Sequence, residues 1–357
     1  KKILLIINSL GVGGAERVFV SDVNHLHKSG YDVSFVVLYG ENKDNPLLHD
    51  IDIPNEKIYC LKGSNIFDAK VYLNLWKVIK KIDANIIYST LNDAIFISRI
   101  VSIFSPKVFL VTREANTTEF KSLSHKIADI FMNWRVDVMA VVSEQVKNSL
   151  VSYQPWCKKK VEVIYNGVSI PNYESKYLDT KTDILCVGSL TKKKNHIMLL
   201  DSVLKIKKNF PKVILKIVGD GVLRKSLEEY VLKNNLSENV TFLGKIEYSE
   251  VVNLYKESGI FVLSSDQEGC PNVLLEAMSY GLPCVATRVG AVGEIIDSDF
   301  FGIVVPRREP TLFANGIEKL LTSVATRQSV GLAGRDQIIK HFSIEVHMEK
   351  LKDILHI

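Results

Sequence analysis

Glu268 and Glu276 have seven residues between them, in the stretch Glu268-Gly269-Cys270-Pro271-Asn272-Val273-Leu274-Leu275-Glu276. Proline at a first helical position loses no hydrogen bond, so Pro271 is read as opening a helix. The N–H groups of Asn272, Val273 and Leu274 then lack partners within that helix and form a ready anion site. Two carboxylates beside such a site would repel a bare phosphate. They suit a ligand with a charged middle and hydroxyls at either end, because carboxylates accept hydrogen bonds from hydroxyls. A nucleotide diphosphate sugar has that layout, with ribose on one side and hexose on the other.

The neighbouring residues must hold these groups in place. Gly259 to Leu263 is a short apolar run with β-branched and aromatic residues, as expected of a buried strand. Ser264-Ser265 ends it, and a polar loop carries Glu268 and Gly269. Val273, Leu274, Ala277 and Met278 mark the apolar face of the following helix, which Gly281 and Pro283 terminate. Pro283 to Thr287 is a second buried strand, leading to a turn at Gly290 to Gly293. Strand, loop, helix, strand is one turn of a parallel sheet, where ligands gather beyond the strands' C-terminal ends.

In these residues the chain resembles the retaining glycosyltransferases of family 4, whose E-x7-E signature matches EGCPNVLLE. The resemblance implies an α/β chain of GT-B fold, two Rossmann-like domains with parallel sheets facing a central cleft. It implies an acceptor-binding domain over 1–170, a nucleotide-sugar-binding domain over 171–342, and a helix over 343–357 that crosses back. By position, Glu268 would contact the hydroxyls of the transferred sugar and Glu276 would hold the ribose. Gly269, Cys270, Pro271, Asn272, Val273 and Leu274 would line the donor between them. Gly13 and Gly14, in the loop Gly13-Gly14-Ala15-Glu16, would face the donor phosphates, with Glu16 towards the acceptor.

Family members commonly carry G-R-L, with a lysine a few residues on, after the first strand of the second domain. Here the stretch reads Gly188-Ser189-Leu190-Thr191-Lys192-Lys193-Lys194. Lys194 fits the lysine that grips the diphosphate, Ser189 departs from the pattern, and Lys192 or Lys193 is left to supply the missing charge. Gly219 ends a later strand near the nucleotide, and Gly244-Lys245 matches the place where the family's backbone reads the base. Many members have a histidine where Ala115 stands here. Glu114, Arg113 or Asn116 must replace it, or the site is arranged differently. The catalytic set is therefore Glu268, Lys194 and Glu114, with Glu16, Arg113 and Asn116 on the acceptor.

The rest of the chain fits alternating strands and helices. Lys2 to Asn8, Tyr31 to Leu38, Asn85 to Tyr88, Val108 to Thr112, Met139 to Val142 and Val161 to Tyr165 read as strands. Strands over Ile184 to Val187, Val213 to Val218 and Val240 to Leu243 continue the pattern. Helices are expected over Ala15 to Lys28, Asn65 to Ile82, Leu223 to Asn234 and Ser249 to Ser258. Three more are expected over Thr311 to Leu321, Ser329 to Phe342 and Ile344 to Leu355. A further helix over Thr118 to Arg135 carries Phe120, Leu123, Ile127, Ile130, Phe131 and Trp134 at helical spacing, flanked by Lys121, His125, Lys126 and Arg135. Its stripe suits either packing on the sheet or leaning on an anionic bilayer.

Composition narrows the function. A length of 357 residues predicts about two domains, and 24% charged residues is ordinary for a soluble enzyme. Lys1-Lys2 ahead of Ile3 to Ile7 looks like a signal peptide start, but the apolar run is too short and is read as the first strand. Five scattered cysteines without C-x-x-C indicate neither a disulfide framework nor zinc, and so a reducing cytoplasmic setting. No metal or other cofactor is expected, and Asp297-Ser298-Asp299 is read as a polar turn. The dinucleotide motif G-x-G-x-x-G fails, because Glu16 occupies the third glycine position after Gly11 and Gly13. The lysines lack interleaved aromatics, which argues against nucleic acid.

The resemblance then implies transfer of a hexose or N-acetylhexosamine, with retention, from a nucleotide diphosphate sugar, UDP favoured. The acceptor would be a saccharide or lipid-linked glycan, met at the inner face of the membrane, since a net charge of +5 suits an anionic surface. A nucleotide-sugar epimerase of the same fold and a non-catalytic nucleotide-sugar-binding module are the alternatives. The second of these would keep Glu276 but have no need of Glu268.

Overall fold

The computed structural model describes residues 1–11, 13–117, 119, 121, 123–172 and 182–357. The chain divides into two compact units, Lys1–Asn166 with His347–Ile357, and Gly167–Val346.

The first unit is built on β1 (Lys2–Ile7), α1 (Gly14–Lys28), β2 (Asp32–Tyr39), β3 (Ile58–Gly63), α2 (Ala69–Ile82) and β4 (Ile86–Thr90). It continues with α3 (Asn92–Ile103), β5 (Phe109–Glu114), α4 (Leu123–Met132), β6 (Val138–Val141), α5 (Glu144–Tyr153) and β7 (Val161–Val163). Its seven strands lie in the order β3-β2-β1-β4-β5-β6-β7, all parallel. A parallel sheet is covered on both faces, so its strands read as continuous apolar runs. Ile3 to Ile7 are accordingly all buried.

The second unit begins β8 (Ile184–Val187), α6 (His196–Ile206), β9 (Leu215–Val218), α7 (Arg224–Lys233), β10 (Val240–Gly244) and α8 (Tyr248–Glu257). Then come β11 (Ile260–Leu263), α9 (Asn272–Ser279), β12 (Cys284–Thr287), α10 (Val292–Ile295), β13 (Ile303–Val305), α11 (Pro310–Thr322) and α12 (Val324–His341). The six strands run β10-β9-β8-β11-β12-β13, again parallel. Both sheets thus share one winding. The chain moves outward from the first strand to the third, then returns to the other side of the first. Beyond the C-terminal ends of the two strands flanking that reversal, β1 with β4 and β8 with β11, lies the crevice where this fold class binds ligands.

The last helix, α13 (Ile344–Ile354), contains the division between the units. From His347 onward its residues belong with the first. There the buried His347 ring lies 2.8 Å from Asp22 Oδ1 on α1 and 2.6 Å from the Tyr165 carbonyl.

Three expectations are corrected. The helix expected from Asn65 starts at Ala69, because Asp68 caps it by accepting from the Lys70 N–H at 3.0 Å, and this leaves Phe67 exposed. The helix expected over Thr118 to Arg135 is α4 plus a 3-10 turn at Asn133–Arg135, with Thr118 and Phe120 outside the described residues. Residues 173–181 of the polar run after Asn172 also lie outside them. The helix expected over Ser329 to Phe342 begins earlier, where Ser323 accepts from the Thr326 N–H.

Candidate functional site

In the second unit, the exits of β8 and β11 meet. After β8 the chain runs through Gly188 and Ser189 to a 3-10 turn of Lys192–Lys194. Asn195 follows in the left-handed region, at φ 46°, and caps α6 by accepting from the Met198 N–H at 3.3 Å. Its amide donates to Asp266 Oδ1 at 3.0 Å, the Asp266 N–H donates to the Lys193 carbonyl at 2.7 Å, and Ser264 Oγ donates to the Lys194 carbonyl at 2.9 Å. The lysine loop is therefore latched to the loop after β11 by its backbone. That frees the Lys194 side chain to reach Glu268, with Nζ 2.6 Å from Oε1.

Glu268 is held from its other side as well, by Ser265 Oγ donating to the same oxygen at 2.6 Å. The Ser265 carbonyl in turn accepts from Thr287 Oγ1 at 2.5 Å. With side-chain exposures of 21% and 12%, Lys194 and Glu268 are partly shielded yet reachable from solvent. Ser189, Lys192 and Lys193 are exposed, so of the three lysines it is Lys194 that the fold aims at the carboxylate. The sequence did not single out Arg307 and Arg308. They follow β13 and bond Asp266, through its carbonyl at 3.1 Å and its Oδ2 at 3.0 Å respectively.

Close backbone packing shapes the rest of the site. The Gly188 N–H donates to the Val218 carbonyl and the Gly219 N–H to that of Gly244, bringing three strand exits side by side. Gly219 has φ +124°, and a Cβ there would stand 2.1 Å from the Gly188 carbonyl oxygen. Lys245 is exposed just beyond.

In α9, Pro271 occupies the cap position rather than the first helical turn. The expectation of three open N–H groups is corrected: Leu274 donates to the Pro271 carbonyl at 3.1 Å, because the first turn winds tightly. The Leu274 side chain is buried in the core, with Leu275 rather than Val273 beside it. Glu276 is partly exposed, and its Oε2 accepts from the hydroxyl of the fully buried Tyr255 at 2.9 Å. Burial, then the Glu276 charge, push the Tyr255 phenol well above its ordinary pKa, so it remains a donor. Beside Lys194, the His196 ring is depressed to about 4, by burial first and the lysine second, and is neutral at pH 7. Asp297–Asp299 is an exposed turn, and no three His, Cys, Asp or Glu side chains gather as a metal site among the described residues.

In the first unit, Gly13 caps α1 and Gly14 begins it. The Glu16 side chain folds back over Gly13, where a Cβ would meet its Oε2 at 2.2 Å. Burial raises the Glu16 pKa, offset in part by a bond to its own backbone. Arg113 and Glu114, expected at the catalytic and acceptor sites, are enclosed by partners from other elements. Both end a central strand and are buried, Arg113 donating to Asn166 Oδ1 at 2.5 Å. Glu114 is locked to Lys121 at 2.8 Å and Arg99 at 3.5 Å. Of the residues around Ala115, Asn116 reaches solvent. At the β1/β4 reversal, Asn8 Oδ1 accepts from the Ala94 N–H at 2.6 Å, and Asp93 lies 3.3 Å from the His125 ring. Asp93 and His125 were not legible as a pair, being 32 residues apart.

The family model described as Glycosyltransferase Family 4 matches residues 12–170, and that described as Glycosyl transferases group 1 matches residues 173–337. An uncharacterized glycosyltransferase of Methanocaldococcus jannaschii is 33% identical over 210 residues, 58% of this chain and 56% of that protein. The chain thus spans just over half the length of that relative. The UDP-Gal:alpha-D-GlcNAc-diphosphoundecaprenol alpha-1,3-galactosyltransferase of Escherichia coli is 24% identical over 370 residues, 96% of this chain and 93% of its own. Among solved structures, Anabaena HepE in complex with UDP superposes with a TM-score of 0.87 at 18% identity, over 100% of both chains. At that identity the likeness speaks for the fold alone, which is GT-B.

Proposed function

The chain belongs to the group 1/family 4 glycosyltransferases, and on that footing we propose that it moves a hexose or N-acetylhexosamine, with retention, from a UDP-sugar to a lipid-linked glycan. The observation that carries this reading is the Lys194–Glu268 pair at the β8/β11 reversal. A lysine beside a carboxylate divides the donor between them: the cation takes the diphosphate and the carboxylate takes the hydroxyls of the sugar next to it. Glu276, oriented by Tyr255, takes the ribose. The E. coli relative acts on a diphosphoundecaprenol-linked sugar, which supports a lipid-linked acceptor here. The five cysteines are all free thiols, which supports a cytoplasmic setting.

In this mechanism the acceptor hydroxyl attacks the anomeric carbon from the face that the diphosphate leaves. The bond from that carbon to the phosphate oxygen breaks, the new glycosidic bond forms on the same face, and the departing phosphate takes the acceptor proton. Lys194 and the start of α9 stabilise the charge growing on the leaving group, as positioned donors do wherever charge develops. The reading is metal-independent, because those groups would supply the positive charge that a cation otherwise brings. Incubating UDP-sugars with a diphosphoundecaprenol-linked saccharide, with and without EDTA, tests it. Transfer should survive chelation and give a product of unchanged anomeric configuration by proton coupling constants. Activity lost to EDTA and restored by manganese would overturn the metal-free part, and an inverted product the retention.

Glu276→Gln should weaken binding of UDP itself by about 1.5–3 kcal/mol, the worth of hydrogen bonds to a charged group. Calorimetric titration with free UDP measures it, and an unchanged affinity removes Glu276 from the ribose site.

A further inference from the structure

Helix α4 is amphipathic the wrong way round for a packed helix. A surface helix ordinarily turns its apolar stripe to the core and its charges to water. Among the described side chains, the inward groups are polar. Asp129 is buried between Arg99 at 2.5 Å and Lys121 at 2.7 Å, and His125 points to Asp93. Lys121 is thus not a surface cation, and burial, which opposes its charge, is outweighed by Glu114 and Asp129, so its pKa rises. Removing a partner from a buried ion network is costly, so this network fixes which way the helix faces.

The outward side is then the apolar stripe. Leu123 is 73% exposed, Phe131 71% and Trp134 66%, with Ile127 and Ile130 exposed between them. The patch extends onto two further elements. Arg135 donates to the carbonyls of Ser102, Ser105 and Val108, which seats Trp134 near the end of α3 and the exposed Phe104. Asn133 donates to Gln154 at 2.5 Å, bringing up the turn that carries Trp156, which is 62% exposed. Large rings massed on a surface mark a site of contact. Lys107, Lys158 and Lys159, on these same turns, are exposed and have no ion-pair partner among the described residues.

We propose that this face, from Phe104 through α4 and Trp134 to Trp156, docks the protein on an anionic lipid bilayer. Tryptophan and phenylalanine enter the boundary between headgroups and acyl chains, and unpaired lysines beside them meet the negative surface. The charge selects a bilayer over a second copy of this chain, which would bring the same lysines face to face. The inference goes beyond the sugar-transfer reading and does not depend on it.

The test uses vesicles of phosphatidylcholine with and without phosphatidylglycerol, with UDP titration as a separate readout. Wild-type protein should sediment with the anionic vesicles, and its tryptophan emission should shift to the blue in a Trp76→Phe background. Phe131→Ser with Trp134→Ser should weaken partitioning at least tenfold and leave UDP affinity unchanged, which shows the variant is folded. Lys107→Glu with Lys158→Glu and Lys159→Glu should abolish the preference for anionic lipid. Wild-type protein that never sediments, or double-serine protein that sediments equally, overturns the docking. So does a wild-type dimer by sedimentation velocity that the serine changes turn into a monomer. Docking without UDP binding would instead count against the donor site.

Discussion

Lys194→Ala should cost about 100- to 1,000-fold in turnover, the usual loss when one positioned donor to a developing negative charge is removed. Two effects act in the same direction. The cation that offsets the leaving diphosphate is gone, and Glu268, formerly paired with it at 2.6 Å, is left facing the phosphates with its charge uncompensated. Affinity for free UDP should fall with turnover. Glu268→Gln provides the contrast. The lysine then has no carboxylate to satisfy, so UDP should bind at least as well as before while turnover drops, because the amide holds the sugar hydroxyls less strongly. Calorimetry with UDP and single-turnover transfer together separate the two roles. Lys194→Ala protein that binds UDP like wild type would show that the lysine serves only to position Glu268.

The parts of this site that were legible lie close together in the chain and are punctuated by Gly and Pro. The run from Ile260 to Thr287 announces itself through two apolar strands, a helix start at Pro271 and a stop at Gly281, whose φ of +76° suits glycine. What was hidden depends on partners from other elements. Glu114 reads as a catalytic candidate from its place beside Ala115, but its ion pairs with Arg99 and Lys121 leave no trace in the local sequence. No local pattern announces α3, since Leu91 in front of it makes no side-chain cap and sits at φ +70°. The run of lysines conceals α6, whose start is signalled only by Asn195. The stripe of α4 shows the limit most plainly. A period of 3.6 gives a helix with two unlike faces, but not which face meets the protein. Here a buried ion network decides against the usual choice.

Gly290→Ala should do more damage than its distance from the substrate groups suggests. Gly290 has φ +52°, and a Cβ there would lie 2.3 Å from the Gly269 carbonyl oxygen and 2.5 Å from that of Glu268. Both contacts are with backbone, so relief requires the loop itself to move. That movement strains the bond from the Ala291 N–H to the Gly269 carbonyl, now 2.7 Å, and shifts the Glu268 carboxylate from its place beside Lys194. Left-handed geometry alone costs a residue with a Cβ about 1–2 kcal/mol, and overpacking against fixed atoms adds about 1–3 kcal/mol. Displacing a substrate-positioning group by about 1 Å can cost about 100-fold in rate. Gly30→Ala isolates the first contribution, since Gly30 has φ +85° with nothing within 4 Å of its would-be Cβ. It should lower stability by the left-handed cost alone and leave transfer intact. Gly290→Ala should lose both stability and transfer, as read by thermal melts and initial rates. Equal melting temperatures for the two variants, with full activity in both, would mean that the Glu268 loop is not braced by the turn at Gly290.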